Sequence, residues 1–122
     1  MEKEFVSYEV AVALRELGFN EKCLSCYLYE VKTFTWELNY VISNNDERWV
    51  ISAPLKQQVF RWFRQKYEVY PTIMTETEDD SLYFRFIAEG GPEWLSFSKI
   101  YYTYEEAENA CIDKLIELAK QL

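Results

Sequence analysis

The sequence predicts an α+β fold, with three helices packed on a mainly antiparallel sheet of four or five strands. Three observations carry that expectation. Apolar residues recur at helical spacing, with end signals, in three separate segments. Between them lie stretches of period-two alternation joined by short polar links. The composition is 49% hydrophobic and 28% charged, with four tryptophans, ten tyrosines and eight phenylalanines. That balance suits a packed core and not a disordered chain. At 122 residues the chain is expected to form a single domain over 1–122, burying about two-thirds of its unfolded surface without disulfides or metal.

The first helix is expected over 7–17. Ser7 suits the N-cap, where its hydroxyl can accept an orphan amide proton of the first turn. Val10, Ala13, Leu14 and Leu17 share one face, and Gly18 is placed to end the helix in the left-handed conformation with Phe19 as its apolar partner. Two strands should follow as a hairpin. The first, over 26–31, is rich in tyrosine. In the second, Phe34, Trp36, Leu38 and Tyr40 alternate with polar residues. The run Ser43-Asn44-Asn45-Asp46 is a loop signal.

The second helix is expected to start near Pro54, with Ser52 or Ala53 as its cap. Its apolar stripe comprises Leu55, Val59, Trp62, Phe63 and Tyr67, with Lys56, Arg61, Arg64 and Lys66 on or beside it. Pro71 opens an extended run. A second hairpin, over 72–77 and 82–88, flanks Glu78-Asp79-Asp80-Ser81. Its second strand carries Leu82, Phe84, Phe86 and Ala88 on one face and Tyr83, Arg85 and Ile87 on the other, so neither face is clearly wet, which suits a central position. Gly90-Gly91-Pro92 reads as a turn, and 94–102 as a fifth strand. The last helix begins with the capping box Thr103 and Glu106. Its expected stripe is narrow: Ala107, Cys111, Leu115, Leu118 and Leu122.

The chain contains no histidine. Serine or cysteine nucleophiles activated by an imidazole therefore cannot be built from it. Cys23-Leu24-Ser25-Cys26 has redox spacing, but it runs into a strand and not onto a helix N-terminus, so buried structural thiols are expected. The acidic run Glu76, Glu78, Asp79 and Asp80 lacks the glycine and spacing of a calcium loop and reads as a charged hairpin tip. No catalytic residue, metal site or cofactor is expected. A net charge of −8 disfavours direct nucleic-acid binding and anionic membranes. No apolar run is long enough to span a bilayer, and Met1-Glu2-Lys3-Glu4-Phe5 does not resemble a secretory leader, so a cytoplasmic protein with reduced cysteines is expected.

Tyrosine, tryptophan and arginine are the residues that dominate binding hot spots. The candidate binding residues are therefore Tyr27, Tyr29, Trp49, Tyr70, Tyr83 and Trp94, expected in an aromatic patch on strands or loops, with Arg61 and Arg64 of the second helix. Homodimerisation through such a patch is open. The leading expectation is a non-enzymatic module that binds a protein. An aromatic-lined pocket for a small ligand is the alternative, and a carboxylate- or thiol-based enzyme the last.

The blocks Ile51-Ser52-Ala53-Pro54, Gln58-Val59-Phe60-Arg61-Trp62-Phe63-Arg64-Gln65-Lys66-Tyr67 and Thr103-Tyr104-Glu105-Glu106-Ala107-Glu108 complete the picture. With Phe5-Val6-Ser7-Tyr8-Glu9 and Leu17-Gly18-Phe19, they resemble a family of short uncharacterised proteins. That family is found in prophages and mobile elements of Bacteroides-type gut bacteria. The resemblance implies no activity, catalytic residue or cofactor. It implies a cytoplasmic, phage-linked accessory protein that acts by binding a host or phage protein.

Overall fold

A computed structural model describes residues 2–28, 32–36, 50–90 and 94–122. The chain divides into two compact units, Met1–Val59 and Phe60–Leu122. Among the described residues there are three α-helices and six strands, and the strands form two three-stranded antiparallel sheets. The α+β class holds, whereas the expected single sheet of four or five strands does not. In the second unit consecutive strands pair, whereas in the first the third strand returns to pair with the first, on the side opposite the second.

In the first unit, a single 3-10 turn at Glu2–Glu4 precedes helix α1, Tyr8–Glu16. Ser7 caps α1 as expected, its Oγ accepting from the Val10 amide at 3.3 Å. The helix ends in a Schellman motif. Gly18 turns to φ 94°, and the amides of Gly18 and Phe19 donate to the carbonyls of Arg15 and Leu14. Phe19 is buried. The buried face of α1 is Ala11 and Leu14, while Val10, Ala13 and Leu17 are only half-buried. The expected stripe was therefore turned slightly away from the true core face.

Strand β1, Ser25–Leu28, is the centre of the first sheet, with β2, Phe34–Trp36, on one side and β3, Val50–Ser52, on the other. The expected hairpin is present, with Cys26 opposite Thr35. Strand β3 escapes a sequence reading because three residues show no periodicity. All three of its residues are buried. Residues 29–31 and 37–49, which include Leu38, Tyr40 and the 43–46 loop, lie outside the described residues. Cys26 and Val50 pack together in the core.

Helix α2 spans Lys56–Tyr67. Pro54 stands ahead of it and not at its first position, with its carbonyl accepting from the Val6 amide at 3.1 Å. Ser52, expected as a cap, belongs to β3 instead. Val59, Trp62 and Phe63 are buried as expected, joined by Phe60, while Leu55 and Tyr67 are half-buried. Trp62 meets Phe63 edge-on with ring centroids 5.1 Å apart, and Phe63 stacks on Tyr67 at 5.3 Å.

In the second unit, β4, Tyr70–Glu78, and β5, Ser81–Gly90, form a long hairpin, and β6, Trp94–Phe97, pairs on the other side of β5. Strand β5 is central, as expected of a strand with neither face clearly wet. The turn is tighter than expected. Glu78 pairs directly with Ser81, and Asp79 and Asp80 alone make the loop, at φ 52° and 64°. Two successive left-handed residues are what a type I′ hairpin requires.

Helix α3, Tyr104–Lys120, closes the chain. Thr103 Oγ1 accepts from the Glu106 amide at 3.1 Å and its hydroxyl donates to the Glu106 carboxylate. The buried face is wider than the expected stripe. It comprises Ala107 and Glu108, Cys111 and Ile112, Leu115 and Ile116, then Ala119. Leu118 is half-buried and Leu122 is 65% exposed. A helix lying on a sheet covers a broad apolar sector, not a single-file seam. Among the described residues no helix is long and apolar enough to cross a membrane.

Candidate functional site

The register of the β4–β5–β6 sheet sorts its side chains onto two faces, because directly paired residues point the same way. One face holds Phe84, Phe86 and Ala88 of β5. Helix α3 packs across β5 and β4. The Tyr104 ring meets Phe84 edge-on at 6.0 Å, and Phe86 stacks on Tyr101 at 6.4 Å. Phe86 and Ala88 are buried there. This is the covered face.

The other face holds Tyr83, Arg85, Ile87 and Glu89 of β5. Thr72 pairs with Ile87, and Ile87 with Phe97, giving one row across all three strands. Tyr70 pairs with Glu89 in the row beyond. Tyr70 is 57% exposed and Phe97 is 67% exposed, while Ile87 and Met74 are half-buried. An apolar strip thus lies open on an otherwise ordered sheet.

The strip has acidic ends. Glu89 lies beside Tyr70 at one end. Toward the hairpin tip come Glu76 and Glu78, then the turn residues Asp79 and Asp80. Arg85 lies on the same face and pairs with Glu76, Nε to Oε2 at 3.4 Å. Next to it, Tyr83 donates a short hydrogen bond to the Glu78 carboxylate. That bond, together with burial of the ring, pushes the Tyr83 phenol up to about 12. Tyr83 is thereby fixed to the sheet as a floor for the strip, not as a free hydroxyl.

The sequence-predicted binding residues meet different fates. Tyr70 and Tyr83 lie on this one open face, the first exposed and the second covered. Tyr27 is buried in the first unit, where its hydroxyl donates to the Val6 carbonyl at 2.8 Å and its ring packs edge-on against Tyr8 and Phe34. It is thus a core residue and no part of an exposed patch. Arg61 and Arg64 are exposed on α2. The backbone of Trp94 pairs with Gly90 in β6. Tyr29 and Trp49 lie outside the described residues. Phe97 was not singled out from sequence, although its place in an alternating strand was readable. What sequence could not show is which face of that strand α3 covers.

The cysteines offer little chemistry. Cys23, Cys26 and Cys111 are free and buried. Burial pushes the thiols of Cys23 and Cys111 up to about 12, and neighbouring Glu21 and Glu108 add to the effect. The Cys23 thiol donates to the Glu21 carbonyl at 3.4 Å and lies 3.9 Å from Gln58 Oε1. Gln58 Nε2 in turn donates to Glu21 Oε1 and to the Lys22 carbonyl, each at 3.1 Å. This network ties the segment after α1 to the start of α2, while burial keeps the thiol protonated against the opposing pull of the Gln58 hydrogen bond. Among the described residues no three carboxylates or thiols gather as metal ligands.

Comparison with protein-family models, with curated proteins and with solved structures returned no match.

Proposed function

We propose that the chain is a non-enzymatic, phage-linked accessory protein that binds another protein through the open face of its β4–β5–β6 sheet. The observation that carries this reading is Phe97. Phe97, the last residue of edge strand β6, leaves two-thirds of its surface in solvent, and exposed aromatic strips on sheets are typical of interaction surfaces. The high thiol pKa values and the missing histidine support the non-enzymatic part. The phage-linked setting comes from the sequence blocks quoted above.

The test is capture. Immobilised full-length protein is compared with a Phe97→Asp variant for specific retention of a protein from cells that carry its gene. Retention by the parent chain and its loss in the variant, at an unchanged melting midpoint, supports the reading. Equal retention by both removes the sheet face from the function.

A further inference from the structure

We propose that the occupant of this face is a basic protein segment, one or two apolar side chains flanked by lysines or arginines. The inference rests on the docking reading above and adds the chemistry of the partner. Its basis is the distribution of charge around the strip. Ile87 and Phe97 form the apolar centre, with Tyr70 and Glu89 paired at one end and the Glu76, Glu78, Asp79 and Asp80 group at the other. Among the described residues of the two long strands on this face, Arg85 is the one base, and Glu76 already neutralises it. A segment with an apolar centre and cationic flanks meets this surface with opposite charge at both ends.

The rings add a second attraction. Elsewhere in the chain, rings gather ammonium groups. Lys66 Nζ lies 4.9 Å from the Trp62 centroid, Lys32 Nζ 5.2 Å from Tyr8 and Lys99 Nζ 5.6 Å from Tyr101. Tyr70 and Phe97 are exposed rings. A partner lysine or arginine reaching an acidic end would pass over one of them and gain from both charge and ring.

Other occupants fit less well. Sheet aromatics stack single-stranded nucleic acid only within a positive groove, and here the rim is negative. An anionic lipid surface meets the same repulsion. A second copy would set acid against acid in chains that each carry −8.

The test uses isotopically labelled full-length protein, titrated with two synthetic peptides and followed by amide shifts. Both peptides alternate valine with a charged residue, lysine in one and glutamate in the other. The lysine peptide is expected to shift the amides of Thr72, Ile87 and Phe97. Its affinity should fall about ten-fold between 50 and 300 mM salt, and about ten-fold again in each of Phe97→Ser and Glu89→Lys. Both variants alter exposed side chains and should keep the parent melting midpoint. Equal binding of the glutamate peptide at these amides overturns the basic partner while leaving the docking face in place. The inference also falls if the lysine peptide does not shift these amides. It falls equally if a poly-deoxythymidine strand, or raised concentration of the protein itself, shifts them in its stead. The docking reading fails separately, through unchanged capture by Phe97→Asp.

Discussion

Gly90 of β5 lies against the backbone of Glu68. A β-carbon added at Gly90 would collide with the Glu68 carbonyl oxygen and stand 2.6 Å from the Val69 α-carbon. The segment leaving α2 runs over the end of the central strand, and only a residue without a side chain permits that approach. Glu68 itself turns at φ 56°, a left-handed step that carries the chain from helix into β4.

Gly90→Ala is therefore expected to destabilise the protein by about 3 kcal/mol. The obstruction is backbone on both sides and cannot rotate away. Urea unfolding of the purified variant checks this. A midpoint within error of the parent would mean that these two segments stand farther apart than a 2.6 Å approach of the added β-carbon allows.

The Asp79-Asp80 turn should respond in the opposite direction. Both residues stand at positive φ, where asparagine and glycine are favoured, and two adjacent carboxylates repel each other. The double change Asp79→Asn with Asp80→Gly should raise stability by about 1 kcal/mol. Thermal melting at low and at high salt measures it, and part of the gain should shrink as salt screens the lost repulsion.

The α2 aromatics should behave as core. Trp62 and Phe63 are buried at 7% and 0% exposure. Truncating either to alanine should remove about 3–5 kcal/mol. An unchanged melting midpoint in Trp62→Ala would place that ring on the surface.

The thiols set an alkaline limit on stability. Cys23 and Cys111 are raised in the folded chain from 9.0 to about 12. The unfolded chain therefore releases these protons first as pH rises, and it binds fewer protons than the folded state between pH 9 and 12. The stability associated with the two thiols is complete below pH 9 and declines above it, by up to about 1.4 kcal/mol per pH unit for each thiol. Denaturant midpoints measured from pH 8 to 11 should fall less steeply in Cys111→Ala than in the parent. At pH 8, iodoacetamide should modify neither residue until denaturant is added. Rapid alkylation of Cys23 in the folded chain would return it to consideration as a nucleophile.

Where local signals are complete, the sequence anticipates the fold in detail. Ser7, Gly18 and Thr103 mark helix ends because capping is settled within four residues of chain. The central place of β5 is legible in Leu82 to Ala88, because a strand with neither face clearly wet suits the interior of a sheet, with a neighbour on each edge. Strand β3 is not legible. Three residues carry no period, and Val50–Ser52 is a strand only because the free edge of β1 receives it. Pro54 misleads for a related reason, since its carbonyl is engaged by Val6 and the helix starts later.

The candidate site divides in the same way. Composition alone establishes that the chain lacks histidine, is acidic and is rich in aromatic rings. Alternation places Tyr83 and Ile87 on one side of β5. Tertiary structure alone decides that α3 lies on the opposite side, leaving Tyr70 and Phe97 in solvent while Tyr27 is buried. The physical reason is that a strand with large side chains on both sides, and neither side clearly wet, has no intrinsic inside. Its faces become distinct only when a helix, distant in sequence, covers one of them.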